Sequence, residues 1–187
     1  MASRVEASVE VKLAAAWPRF WARLLDIQLY SIPVAFVLMA LFPDLATSPE
    51  LSGRSGDLLI GFISLPFVML VDAVILSKTG TSVGKALAAL TLVTDDGELV
   101  PTTTALARNL RLYLQGLVLG IPLLVLIGYV SGYNSVKKKG TADWDEATGT
   151  RVISRDRSGA RTWLVGVLAV FAVLIGNALA RVGDAPL

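Results

Sequence analysis

The chain of 187 residues contains neither cysteine nor histidine. Without cysteine there can be no disulfide, no thiolate metal site and no cysteine nucleophile. Without histidine the commonest general base and the commonest transition-metal ligand are missing too. Charge is also scarce, with only 17% Asp, Glu, Lys and Arg against 54% hydrophobic residues. The mean hydropathy of +0.65 is too high for a water-soluble domain of this length and points to a multi-spanning membrane protein. No metal or cofactor is expected, and no nucleophile and base stand at a catalytic spacing. The reading is therefore non-catalytic.

What is present comes in long apolar runs. About 20 such residues cross a bilayer, and four stretches fit: Leu24 to Phe42, Leu58 to Ser77, Leu112 to Ser131 and Trp163 to Ala180. The first has no small-residue cleavage site behind it and is read as a retained span, not a signal peptide. The third carries Gly116, Gly120, Pro122 and Gly128. A proline inside a helix removes a hydrogen bond, so this stretch is expected to be broken, re-entrant or lying in the membrane plane, with a plain span as the alternative.

The distribution of Lys and Arg supports the broken form. There are four in residues 1–23, one in 43–57, four in 78–111, seven in 132–161 and one in 181–187. Positive charge collects on the cytoplasmic side, which puts the N-terminus and both long basic loops inside. Two β-branched runs occupy those loops, "AALTLVTDDGELV" and "ATGTRVISRDRSG". They read as two strands that pair just outside the membrane. The expected fold class is thus an all-α integral membrane helical bundle of three to four membrane helices, one either re-entrant or spanning, with a small cytoplasmic two-stranded β element.

Charged residues inside this greasy frame are the candidate functional groups. On a helix, Arg19, Arg23, Asp26 and Tyr30 fall within roughly 60° of one another. Asp26 sits within the first span, where an isolated charge costs a few kcal/mol, so it needs a cation; Arg23, three residues earlier, is in reach. The arginines can also be ordinary positive-inside anchors flanked by the Trp17 and Trp21 belt. Asp72 in "VMLVDAVIL" has no charge three or four residues away. It is either an ion or proton site, together with Asp26, or the partner of Arg19, Arg23, Lys78 or Arg108. "GTSVGKA" fails as a phosphate loop, because the glycine spacing is one residue short and Ala86 replaces the hydroxyl residue. Its Lys85, like Lys137, Lys138 and Lys139, is expected to reach anionic lipid headgroups. No aromatic-interleaved basic surface points to nucleic acid.

At these residues the chain resembles the RDD family, small integral membrane proteins named for one arginine and two aspartates. "RFWARLLD" matches the R-x-x-A-x-x-x-D opening, with Arg19 as the arginine and Asp26 as the first aspartate. "GTSVGKALAALTLVTDDG" resembles the family's glycine and lysine segment, "ALARN" puts Arg108 at a family arginine, and "DEATGTRVI" makes Asp145 the second aspartate. The family usually has His before that aspartate, where this chain has Trp144. The resemblance implies residues 17–153 as an RDD-type membrane domain, 1–16 as a mobile tail, 154–162 as a basic linker and 163–187 as an extra transmembrane helix and tail. It further implies a latch, Arg19 on Asp145 with Arg23 holding Asp26. The usual suggestion for the family is transport of unidentified ligands. The expectation is a bacterial cytoplasmic-membrane protein that transports or binds a cation, proton or small solute, or else a non-catalytic scaffold or accessory subunit. Three or four spans make a thin bundle, which a homo-oligomer would relieve.

Overall fold

The computed structural model describes residues 12–44, 53–118, 121–155 and 159–183. Helix α1, Ala16–Leu41, buries a single stripe that begins with Ala22, Arg23, Leu25 and Asp26 and continues through Tyr30, Val34 and Leu38. Spacing of three and four residues keeps these on one face. The stripe is polar for one turn and apolar for the next three. Pro18 falls in the first turn, where a missing N–H costs nothing.

Helix α2, Gly53–Thr79, returns alongside α1. It ends at Gly80, whose φ of +70° is the left-handed cap conformation and whose N–H bonds the Leu76 carbonyl at 2.8 Å. The short helix α3, Val83–Leu87, then turns back beneath α1 before a strand of Leu90–Thr94 begins. Helix α4, Thr102–Arg111, packs on α2 and runs into a π-helical turn, Leu112–Gly116. Helix α5, Pro122–Lys139, folds back on that turn. The third apolar stretch is therefore broken, as its glycines and proline predict, and forms the tip of a hairpin. A Cβ on Gly128 would collide with the Gly116 carbonyl, so only glycine lets the two arms approach this closely.

A one-turn helix α6, Asp143–Glu146, and a strand of Thr150–Ser154 follow, and α7, Ala160–Gly183, packs along α1. Among the described residues three helices are long and apolar enough to cross a membrane, with spans at Ala16–Leu41, Leu59–Thr79 and Ala160–Ala178. Their outward faces carry exposed Ile32, Phe36, Leu70, Val167 and Phe171, the surface a lipid solvent covers.

The two expected strands pair antiparallel, Leu90 opposite Ser154 through Thr94 opposite Thr150. A third strand was not expected. Lys12–Leu13 forms β1 on the other edge of β3 (Thr150–Ser154), giving the order β1-β3-β2 with β2 as Leu90–Thr94. Ala14 is buried and donates its N–H to the Val152 carbonyl at 2.9 Å. The mobile-tail expectation is corrected to that extent: residues 12–15 are tied to the sheet, and residues 1–11 lie outside the described residues. The sheet, α3, the start of α4 and the end of α5 all gather at one end of the bundle. An apolar core joins them there, with Leu25, Leu76, Leu90, Leu92, Val152 and Val165 at its centre. Tyr30, Val34, Leu38, Val68 and Leu112 pack a second core further along the helices.

Candidate functional site

Seven ionisable side chains meet where the sheet end joins the bundle. Burying ions costs several kcal/mol each unless pairing and hydrogen bonds repay it. Asp145, 1% exposed, takes two arginines: Arg19 donates from Nη1 to its Oδ2 at 3.0 Å, and Arg108 from Nε to its Oδ1 at 2.7 Å. Arg19 spends its other donors on main chain, bonding the Ala14, Gly140 and Val152 carbonyls at 3.0, 3.0 and 3.3 Å. One guanidinium thus fastens α1 to the ends of α5 and β3. The latch between Arg19 and Asp145 implied by the family pattern is present.

The other half of that latch is different. Arg23 does not hold Asp26; its Nη1 lies 2.6 Å from Asp72 Oδ2. Spacing along one helix shows who can reach whom, but the face α1 turns toward α2 brings Asp72 closer. Asn109 donates to the same oxygen at 2.9 Å and to the Met69 carbonyl at 2.9 Å. Asp72 is accordingly a paired carboxylate, and the reading as an unpaired ion site is corrected.

Asp26, 1% exposed, is gripped by the "GTSVGK" segment. Ser82 Oγ donates to Oδ2 at 2.5 Å, the Gly84 N–H to Oδ1 at 2.7 Å, and Lys85 Nζ reaches Oδ2 at 3.4 Å. Tyr30 OH accepts the Val83 N–H at 3.2 Å. Gly84 has to be glycine, since a Cβ would press on the Ala22 carbonyl and stand 3.1 Å from Asp26 Oδ1. Lys85 also lies 3.5 Å from Asp72 Oδ1 and donates to Ser82 Oγ at 2.8 Å, so it bridges the two intramembrane carboxylates. It is 4% exposed, which corrects its assignment to lipid headgroups. Burial, and then the Arg23 guanidinium, pull its pKa below the ordinary value of 10.5. Lys137, Lys138 and Lys139 are exposed as expected, with Lys139 bonding Asp143 and Glu146.

Sequence reasoning missed Asn109, Ser82 and the Gly84 amide. Each stood inside a quoted segment, next to Arg108 or Lys85, but a neutral donor gives no sign of its partner until the helices dock.

Beside this lattice lies a cavity of about 580 Å³ between α1 and α5. Arg19, Arg23, Lys85 and Arg108 line its charged side, and Trp17, Phe20, Tyr129, Tyr133 and Trp144 its aromatic walls. No carboxylate among the described residues lines it. Phe20 meets Tyr129 edge-on with centroids 4.9 Å apart, joining α1 to α5 across the wall. A Cβ on Gly132 would run into the Trp144 ring, and one on Gly116 would crowd it at 3.1 Å, so these glycines make room for the tryptophan.

Fold and lattice together define an α-helical integral membrane protein whose spans are tied by buried ion pairs to a small sheet at one end. The RDD family model matches residues 13–145, more than half the chain, and the chain belongs to that family. The matched region contains Arg19, Asp26 and Asp145, and β3 and α7 follow it. No curated protein and no solved structure matches the chain.

Proposed function

We propose that this is a transport-type, non-catalytic protein that binds a small solute in the cavity between α1 and α5, with the sheet end in the cytoplasm. The observation that carries the reading is the cavity itself, whose volume of about 580 Å³ falls among small-molecule sites of roughly 300–1,000 Å³ and whose few polar groups converge on one side of apolar walls. The orientation rests on charge: segments 1–23, 78–111 and 132–161, which carry the three strands, hold four, four and seven of the 17 basic residues. The N-terminus is then cytoplasmic, and the ends of α1 and α7 face the opposite side.

A second reading has its own support. Asp26, Asp72 and Asp145 are all buried and paired, as a purely structural latch in a scaffold or accessory subunit requires. Trp144 can separate the two. With Trp17→Phe, Trp21→Phe and Trp163→Phe, it is the sole fluorophore. In phosphatidylcholine nanodiscs, tribromoethanol should quench it, and Val136→Phe, which fills the cavity from α5, should relieve the quenching. Quenching that is absent, or indifferent to Val136→Phe, would leave the scaffold reading standing.

A further inference from the structure

The lattice does not close on itself. Four cations, Arg19, Arg23, Lys85 and Arg108, face three carboxylates, Asp26, Asp72 and Asp145, leaving one positive charge in excess. The unspent donors can be located. Arg23 is 6% exposed and donates through Nη1 alone; its Nε and Nη2 find no acceptor among the described residues. Arg108, 3% exposed, uses Nε on Asp145 and Nη1 on the Asn109 Oδ1 at 3.2 Å, leaving Nη2. Both side chains line the cavity. Among the described residues the buried side-chain polar atom without a partner is Thr141 Oγ1, so these nitrogens are not sealed in but open on the cavity, where a planar fork of donors matches a carboxylate or phosphate.

The other side of the cavity is apolar and faces out of the bundle. Trp17, Leu126 and Val130 line it and are 55%, 61% and 60% exposed, on helix surfaces that a bilayer would cover. An occupant with its acidic head at Arg23 and Arg108 would have its body among these side chains and its far end in lipid.

We infer that the cavity receives a single-chain amphipathic anion from the membrane, with a carboxylate or phosphate head on the free donors of Arg23 and Arg108 and an acyl chain passing out between α1 and α5. This rests on the solute-binding reading above and adds the ligand's charge, shape and source. The cavity's sign follows from the pairing, because Asp26, Asp72 and Asp145 are each turned inward onto a cation while two guanidinium groups keep donors on the cavity side.

The test uses the full chain in phosphatidylcholine nanodiscs with Trp144 as sole tryptophan. Dibromostearate should quench it saturably, at concentrations at least about tenfold lower than its methyl ester needs, a difference one charge-assisted contact can supply. Arg108→Gln, whose loss leaves Asp145 on Arg19, should shrink that ratio toward one, and Arg23→Gln should do the same. The acid-to-ester comparison on the unaltered charges stands even if an arginine variant fails to fold. Inorganic phosphate should not displace dibromostearate. Equal quenching by acid and ester would overturn the anion assignment while leaving solute binding in place. Displacement by phosphate would overturn the membrane source in favour of a soluble anion. Quenching by tribromoethanol with none by dibromostearate would overturn the inference alone.

Discussion

Replacing Asp145 by Asn keeps the shape of the side chain and removes its charge, which isolates what that charge does. In the native protein its two oxygens lie 3.0 Å from Arg19 and 2.7 Å from Arg108, with the side chain 1% exposed. At an effective dielectric of about 20, each such pair is worth roughly 4 kcal/mol before desolvation is subtracted. The variant still buries both guanidinium groups, which then repel one another with nothing between them. Removing one partner of a buried pair costs about 3–5 kcal/mol, and Asp145→Asn should fall at the upper part of that range.

Arg19→Met should cost more still. It breaks one of the two bonds to Asp145, and it also strips hydrogen bonds from the Ala14, Gly140 and Val152 carbonyls; Val152 keeps the Ala14 N–H, while a buried acceptor left with no donor costs about 1–3 kcal/mol. Arg108→Met should be mildest, since Asp145 keeps Arg19. The assay is reversible unfolding of the detergent-solubilised protein by increasing SDS fraction, followed by tryptophan fluorescence. Lys139→Ala, which breaks an exposed pair, is the control and should leave the midpoint in place. A loss for Asp145→Asn within the ~0–1 kcal/mol of a surface pair, or Arg108→Met more damaging than Arg19→Met, would refute the latch.

Four further outcomes follow from the same structure. Asp72→Asn should destabilise the protein by about 3 kcal/mol in that assay, because it leaves Arg23 buried without its 2.6 Å partner; an unchanged midpoint would return Asp72 to the role of a free titratable group. Gly84→Ala should cost about 1–3 kcal/mol as its methyl meets the Ala22 carbonyl, whereas Gly61→Ala, with open space around it, should be neutral. In this cysteine-free chain, Glu98→Cys and Lys138→Cys should both be shielded from an impermeant thiol reagent in intact cells while Phe42→Cys is labelled; labelling of Lys138→Cys alone would make the hairpin a span. Lys85 has a folded pKa below 10.5, so as pH rises through that lower value the native state gives up its proton before the unfolded chain does. Stability should therefore climb as pH rises from that lower value toward 10.5, and the slope should flatten in Lys85→Met.

The sequence carried the architecture where the signal was local. Apolar length located three spans, the cluster of Gly116, Gly120 and Pro122 marked the broken stretch, and two β-branched runs became a paired β2 and β3. β1 was invisible because Lys12 and Leu13 have no pattern of their own; the edge of β3 makes them a strand. The site was legible in its membership and not in its connections. Arg19, Arg23, Asp26, Asp72, Lys85, Arg108 and Asp145 all stood out as charges, but a spacing of three residues nominated Arg23 for Asp26 when the nearer acceptor lay 49 positions away on another helix. Lys85 follows a span, which is where headgroup lysines sit. Only the return of α3 beneath α1, permitted by Gly84, turns it inward.

Those connections decide which functions the charges can serve. A cation or proton pathway needs a carboxylate that is short of partners and within reach of water. Asp26 has a hydroxyl, an amide and an ammonium; Asp72 has a guanidinium, a carboxamide and the same ammonium; Asp145 has two guanidinium groups. The carboxylates are the satisfied members, and the groups with bonds left to make are Arg23 and Arg108. Two chains with the same seven charges but another pairing would present the opposite sign to the same cavity. The rotation of α1 that gives Arg23 to Asp72 and leaves Asp26 to the amide and ammonium of α3 therefore fixes the electrostatics of the site as much as the presence of Arg19, Asp26 and Asp145 does.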